Sequence, residues 1–163
     1  MQSKRLLPAL VCGFGVAVIS IIPIIQAMNC CVFTPLAGGL GVYLVFKQSH
    51  GDEGFRLQTS EAMIMGLLIG LISGVFDAVF QSIIIAVSKT NPVDDAIFII
   101  KEYVQITDIP NIILDMAKEI EEKRFSLVLT ISIFFTNFIV NTIFAAIGGL
   151  IGISLIKKRL NVS

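Results

Sequence analysis

Residues 61–87 read EAMIMGLLIGLISGVFDAVFQSIIIAV, and this stretch decides the fold of the chain. It is apolar over nearly its whole length, and Asp77 near its middle is its one internal charge. A stretch of about 27 residues exceeds the roughly 20 apolar residues that a helix needs to cross a bilayer. We therefore predict a transmembrane helix with a buried carboxylate.

Every fourth residue of this stretch is small. In a helix, residues four apart lie on one ridge, so a neighbouring helix can approach it closely along its length. This small-residue ridge comprises Ala62, Gly66, Gly70, Gly74, Ala78, Ser82 and Ala86. It predicts close packing against another helix.

The composition of the chain indicates a membrane protein. Of its 163 residues, 55% are hydrophobic, and the mean hydropathy is +0.89. Soluble domains are about 45–50% apolar, so the excess points to membrane spans and to the lipid bilayer as a partner. Twelve basic residues balance twelve acidic ones, which gives no electrostatic reason to expect a nucleic-acid partner.

Three further apolar runs bring the number of predicted transmembrane helices to four. The spans are 6–25, 30–46, 61–87 and 126–156. The first exceeds the about 7–15 apolar residues of a signal peptide and lacks a small-x-small cleavage site, so we predict an uncleaved span. The second is short, and Thr34-Pro35 and Gly38-Gly39 favour a kinked span over a re-entrant hairpin. The last exceeds a bilayer core, so it tilts or bends near Gly148-Gly149.

The polar segment 92–124, between the last two spans, predicts two amphipathic helices. Asn91-Pro92 is a helix cap followed by a first-turn proline, and apolar residues recur at helical spacing on both sides of Pro110. We expect the pair to lie on the bilayer surface or to cap the bundle.

The predicted architecture is therefore all-α and polytopic, with four transmembrane helices and two amphipathic helices between the third and the fourth. Four spans place both termini on one side of the membrane. That side carries seven of the twelve Lys and Arg residues, and the positive-inside rule favours the cytoplasm for it.

Asp77 is the sharpest chemical signal in the sequence. A carboxylate at the bilayer centre costs about 2.5–3.5 kcal/mol on insertion scales, so we expect it to have a partner. Counting from the outer ends of the spans sets Asn137 level with Asp77, Asn141 one turn deeper and Gln81 one turn shallower. These four residues form the predicted intramembrane polar cluster. It either fixes the helix register or provides a path for protons or cations.

Cys30 and Cys31, at the outward end of the second span, form the other candidate site. Adjacent cysteines rarely bridge each other, because a disulfide requires more widely separated Cα atoms. We expect small packing residues here, and thiol-redox chemistry, metal capture or cross-linking between subunits is the alternative. With one histidine, His50, and no nucleophile beside a base, the sequence predicts neither an enzyme nor a bound metal or cofactor.

The run Asn29-Cys30-Cys31, then Pro35 and Gly38-Gly39 through Tyr43, followed by the glycines of the third span, resembles a family of uncharacterised small prokaryotic membrane proteins. The resemblance covers about residues 5–80. It implies a four-span protein of the inner membrane and no particular activity.

These observations favour a non-enzymatic structural or accessory membrane component. The small-residue ridge suggests a homo-oligomer or a subunit of a larger assembly, because a four-helix bundle need not use every such ridge internally. One alternative is a small channel or transporter that uses the Asp77 cluster. The other is thiol-redox or metal handling at Cys30-Cys31.

Overall fold

The protein is all-helical over the residues that its computed structural model describes, which are 3–22, 28–49, 58–88, 91–104 and 109–162. This confirms the predicted α class. We number the six α-helices in chain order: α1 Ser3–Ile19, α2 Thr34–Ser49, α3 Thr59–Val87, α4 Pro92–Ile99, α5 Asn111–Lys123 and α6 Leu127–Val162. A π-helical turn, Asn29–Phe33, leads into α2, and another, Ile100–Val104, extends α4.

Three helices in the described part of the chain are long and apolar enough to cross a membrane. They cover Cys31–Ser49, Thr59–Val87 and Leu127–Arg159, and they correspond to the second, third and fourth predicted spans. The predicted first span, 6–25, contains a shorter apolar helix over Leu6–Ile19, and residues 23–27 lie outside the described part. A membrane protein is thus supported by length and composition.

The longest interhelical seam joins α3 to α6, which run antiparallel. Gly66 lies against Ala145, and Gly74 lies against Phe138 at the other end of the seam. α6 is a single helix of 36 residues, and it continues unbroken through Gly148 and Gly149. These two glycines lie at backbone crossings with α2 and α3.

The second span is one helix and not a re-entrant hairpin. α2 runs unbroken from Thr34 to Ser49, because Pro35 lies in its first turn, where the missing N–H is tolerated. α2 is parallel to α6, since Pro35 packs on Gly148 and Gly39 packs on Gly152. The interruption expected here occurs earlier, as the π-helical turn Asn29–Phe33.

α1 packs beside α3 and runs parallel to it. Gly13 lies against the backbone of Ile69 and the side chain of Ile72. The same Ile69 fills the space above Gly41 of α2 and is fully buried, so it lies at the centre of the bundle. Because α3 runs antiparallel to α6, the beginning of α1 and the end of α6 lie at the same end of the bundle.

α4 and α5 form a second, smaller core at the opposite end. Val93, Ile97, Ala117 and Ile120 are buried there, against Ile85 of α3 and Leu129 of α6. Asn91 fastens the pair, since its Oδ1 accepts a hydrogen bond from Val93 N at 3.2 Å and its Nδ2 donates to Ala117 O at 2.9 Å.

A buried polar cluster as the candidate functional site

Three helices converge on the carboxylate of Asp77. The residue lies near the middle of α3, and only 2% of its surface is exposed. Ser20, just beyond the end of α1, donates a hydrogen bond from Oγ to Asp77 Oδ1. Asn141 of α6 donates from Nδ2 to Asp77 Oδ2 at 2.6 Å. The Asp77 side chain thus links α3 to the end of α1 and to α6.

The cluster is closed to its surroundings. Asn141 Nδ2 also approaches Ser73 Oγ, one turn below Asp77 on α3, at 3.3 Å. Ser20, Ser73 and Asn141 are each less than 5% exposed. Each oxygen of the carboxylate has a donor, which is the condition under which an ionisable group is tolerated at this depth.

The structure brings Asn141, and not Asn137, to the carboxylate. Helical side chains lean toward the N-terminus of their own helix. Because α3 and α6 run antiparallel, the side chain of Asp77 leans toward Ser73, and the side chain of Asn141 leans in the opposite direction, toward Asp77. Asn137 leans away, and its Nδ2 is buried without a hydrogen-bond partner. Gln81 is partly buried and takes no part in the cluster. Residue counting set Asn137 level with Asp77 and Asn141 one turn deeper, and it is the deeper amide that donates to the carboxylate.

Ser20 was missed by the sequence reasoning. It is the only hydroxyl residue in the apolar run 6–25, and that is a usable signal. Counted from the N-terminal end of the predicted first and third spans, Ser20 and Asp77 lie at similar positions in helices that run the same way. Its Oγ also lies 2.7 Å from Ala17 O, so the single hydroxyl proton is shared between this carbonyl of α1 and Asp77 Oδ1.

The lower part of the small-residue ridge makes this geometry possible. A Cβ atom on Gly70 would lie 2.4 Å from Thr142 Cα and 2.5 Å from Asn141 O. Without it, the two backbones come close enough for Asn141 to reach Asp77. The ridge is buried from Ala62 to Ala78, whereas Ser82 is partly exposed and Ala86 is exposed. Most of the ridge therefore serves packing within the chain.

The Cys30-Cys31 site is described in part. Cys31 is exposed at the edge of a groove between α2 and α6, whereas the side chain of Cys30 lies outside the described part of the chain. Among the described residues, no group of three or more His, Cys, Asp or Glu side chains is arranged to hold a metal ion.

None of the three principal cavities in the described structure reaches the Asp77 cluster. One lies among charged residues at the α4–α5 end, a second is the apolar groove between α2 and α6, and a third lies between the C-terminal half of α3 and the N-terminal part of α6. The cluster thus has no described opening through which a solute could approach it. Its hydroxyl and amide groups can hold the carboxylate by hydrogen bonds.

Comparison with known proteins adds no assignment. No protein-family model, curated protein or solved structure matches the chain.

Proposed function

We propose that this protein is a non-enzymatic integral membrane protein with a structural or accessory role. The observation that carries this proposal is the arrangement at Asp77, where both carboxylate oxygens accept hydrogen bonds from neighbouring helices. Hydrogen bonds between membrane helices contribute about 0.6 kcal/mol on average, and up to about 1.7. Two such bonds offset part of the burial penalty and fix one register of three helices.

The proposed bundle has four transmembrane helices, with α1 as the fourth. α1 is short, but it lies alongside α3 from Gly13 at Ile69 to Ser20 at Asp77. Its outward side carries large apolar residues such as Leu7 and Val11, which are 63% and 56% exposed. In a bilayer these side chains face lipid, so α1 is the first span and α4–α5 is an interfacial pair.

We place the protein in the prokaryotic inner membrane with both termini in the cytoplasm. The excess of Lys and Arg at the end that holds Lys47 and Lys157–Arg159 supports this orientation. α4 and α5 then lie on the outer side.

Labelling of single cysteines tests the topology. In a cysteine-free background, Lys118→Cys should react with a membrane-impermeant maleimide on intact cells, and Ser3→Cys should react only after lysis. If α1 did not span, Ser3→Cys would be labelled on intact cells, and the four-span proposal would be wrong.

The accessory role implies a binding partner or a second copy. Because the ridge is largely used within the chain, such a contact uses other surfaces, including the outer half of α3 near Ser82 and Ala86. Light scattering of the detergent-solubilised protein measures this directly. A strict monomer from which no partner co-purifies would count against the accessory role.

A channel or transporter role for the same cluster has less support, since Asp77, Ser73 and Asn141 are at most 3% exposed. Flux measurements separate the two functions. We expect proton and sodium flux into liposomes to equal that of empty liposomes. A flux that Asp77→Asn abolished, in a variant that kept its helicity and remained monodisperse, would replace the structural role with conduction.

A further inference from the structure

An apolar groove of about 500 Å³ runs along the side of the bundle between α2 and α6. Its floor is backbone, because Pro35 and Gly39 of α2 cross Gly148 and Gly152 of α6 with no side chains between them. Its walls are large side chains that point outward, among them Leu36, Leu40, Tyr43, Ile151 and Leu155. A groove of this volume, with an apolar lining, suits a hydrocarbon chain.

Cations lie beyond one end of the groove. The last wall residue of α2 is Tyr43, and Lys47 follows it one turn later on the same face. On α6, Lys158 and Arg159 follow Leu155 by three and four residues and continue its face in the same way. All three cationic side chains are exposed.

The parallel arrangement of α2 and α6 brings these charges to one place. Pro35 packs on Gly148, and Gly39 packs on Gly152. A step of four residues along α2 therefore matches a step of four residues along α6. Continued to their ends, this register sets Lys47 within about one helical turn of the level of Lys158 and Arg159.

Few other charges lie at this end among the described residues. Lys157 points toward α3, where its Nζ donates to Thr59 Oγ1 at 3.1 Å. Glu61 is the one carboxylate among the described residues here, and it lies at the start of α3, where it accepts from Gln58 N at 3.2 Å. Among the described residues of this end, four cationic side chains (Lys47, Lys157, Lys158 and Arg159) outnumber this one carboxylate, so their summed charge is positive.

We propose that this groove binds an anionic phospholipid, with one acyl chain along the glycine floor and the phosphate at Lys47, Lys158 and Arg159. Charge complementarity identifies the occupant, because cationic residues at the mouth of an apolar groove between spans match the two parts of such a lipid. The inference depends on the membrane placement of α2 and α6, and not on the structural or accessory role.

The absence of tryptophan from the chain allows a direct test. Leu40→Trp places a single fluorophore on the groove wall, and Val11→Trp places one on α1 as a control. The two positions are 57% and 56% exposed. They lie at similar depth, because Gly13 and Gly41 both pack on Ile69. Each variant is reconstituted in phosphatidylcholine vesicles containing dibrominated phosphatidylglycerol or dibrominated phosphatidylcholine, and quenching is measured against the brominated fraction.

At Leu40→Trp we expect the apparent association of phosphatidylglycerol to exceed that of phosphatidylcholine by about fivefold or more. At Val11→Trp the two lipids should quench equally. Adding Lys47→Gln, Lys158→Gln and Arg159→Gln to Leu40→Trp should remove the preference. Adding Lys101→Gln, Lys118→Gln and Lys123→Gln, which change the same number of charges at the other end, should preserve it.

Four outcomes would overturn the proposal. Equal quenching by both lipids at Leu40→Trp would mean that the groove has no selectivity. A preference that survived the Lys47, Lys158 and Arg159 substitutions would mean that these cations do not bind the headgroup. If both lipids quenched Val11→Trp and neither quenched Leu40→Trp, another protein surface would cover the groove. If neither position were quenched, the membrane placement itself would be wrong.

Discussion

Gly70→Ala is the substitution that most directly tests the seam between α3 and α6. The added Cβ would lie 2.4 Å from Thr142 Cα and 2.5 Å from Asn141 O. An unstrained contact of this kind is about 1 Å longer. Both opposing atoms belong to the backbone, so they cannot rotate away. The two helices must therefore separate by about 1 Å at the level of the Asp77 cluster.

The expected loss of stability follows from three contributions. Overpacking of a close contact costs about 1–3 kcal/mol. Separation of the helices also weakens the 2.6 Å hydrogen bond from Asn141 to Asp77, and such bonds in membranes contribute about 0.6 kcal/mol. Alanine favours the helix over glycine by about 0.8–1.0 kcal/mol. We expect the free energy of unfolding to fall by about 1–3 kcal/mol.

Gly15→Ala is the matched control, since a Cβ at Gly15 would meet no atom within 4 Å. It should leave the protein as stable as the wild type or slightly more stable. Reversible unfolding in mixed micelles, with increasing sodium dodecyl sulfate and far-UV circular dichroism as the readout, compares the two variants. If Gly70→Ala unfolded at the same detergent fraction as Gly15→Ala, the close approach of α3 and α6 would be refuted.

Three further predictions test other parts of the structure. Asn141→Leu removes the donor to Asp77 Oδ2 and should lower the free energy of unfolding by about 1–3 kcal/mol, whereas Asn137→Leu removes an unpartnered amide nitrogen and should be neutral in the same assay; equal losses would contradict the assignment of the partner. Ser20→Ala should speed amide hydrogen exchange in α1, measured by mass spectrometry, and unchanged exchange would mean that the hydroxyl does not hold α1. Ile97→Ser should increase proteolysis within residues 91–124 without moving the unfolding midpoint of the bundle, because the two cores are separate; a matching shift of the midpoint would show that they are coupled.

Much of the bundle could be predicted from periodicity and length. Residues 61–87 identified a span, its ridge and a carboxylate that needs a partner, and depth counting indicated the last span as the neighbour of α3. These inferences succeed because each depends on one helix or on the shared thickness of the bilayer.

The details of the site could not be predicted in the same way. The choice of Asn141 over Asn137 depends on the lean of side chains in antiparallel helices, which shifts a contact by about one turn. The hydrogen bond from Ser20 to Asp77 depends on which helix lies beside α3, and hydropathy does not determine which helices are neighbours. The groove arises where Gly39 crosses Gly152, a pairing that neither helix specifies alone.

The position of Asn141 in the last helix has a consequence for biosynthesis. The chain emerges from the ribosome N-terminus first, so α1, α2 and α3 are made well before α6. During that interval Ser20 can reach Asp77, but the amide donor does not yet exist, and the glycines of α3 face lipid or the insertion machinery. The nascent protein therefore passes through a three-helix stage whose polar centre is half satisfied. Arrival of α6 closes this centre and the glycine seam together, so insertion of the final helix commits the whole bundle to its fold.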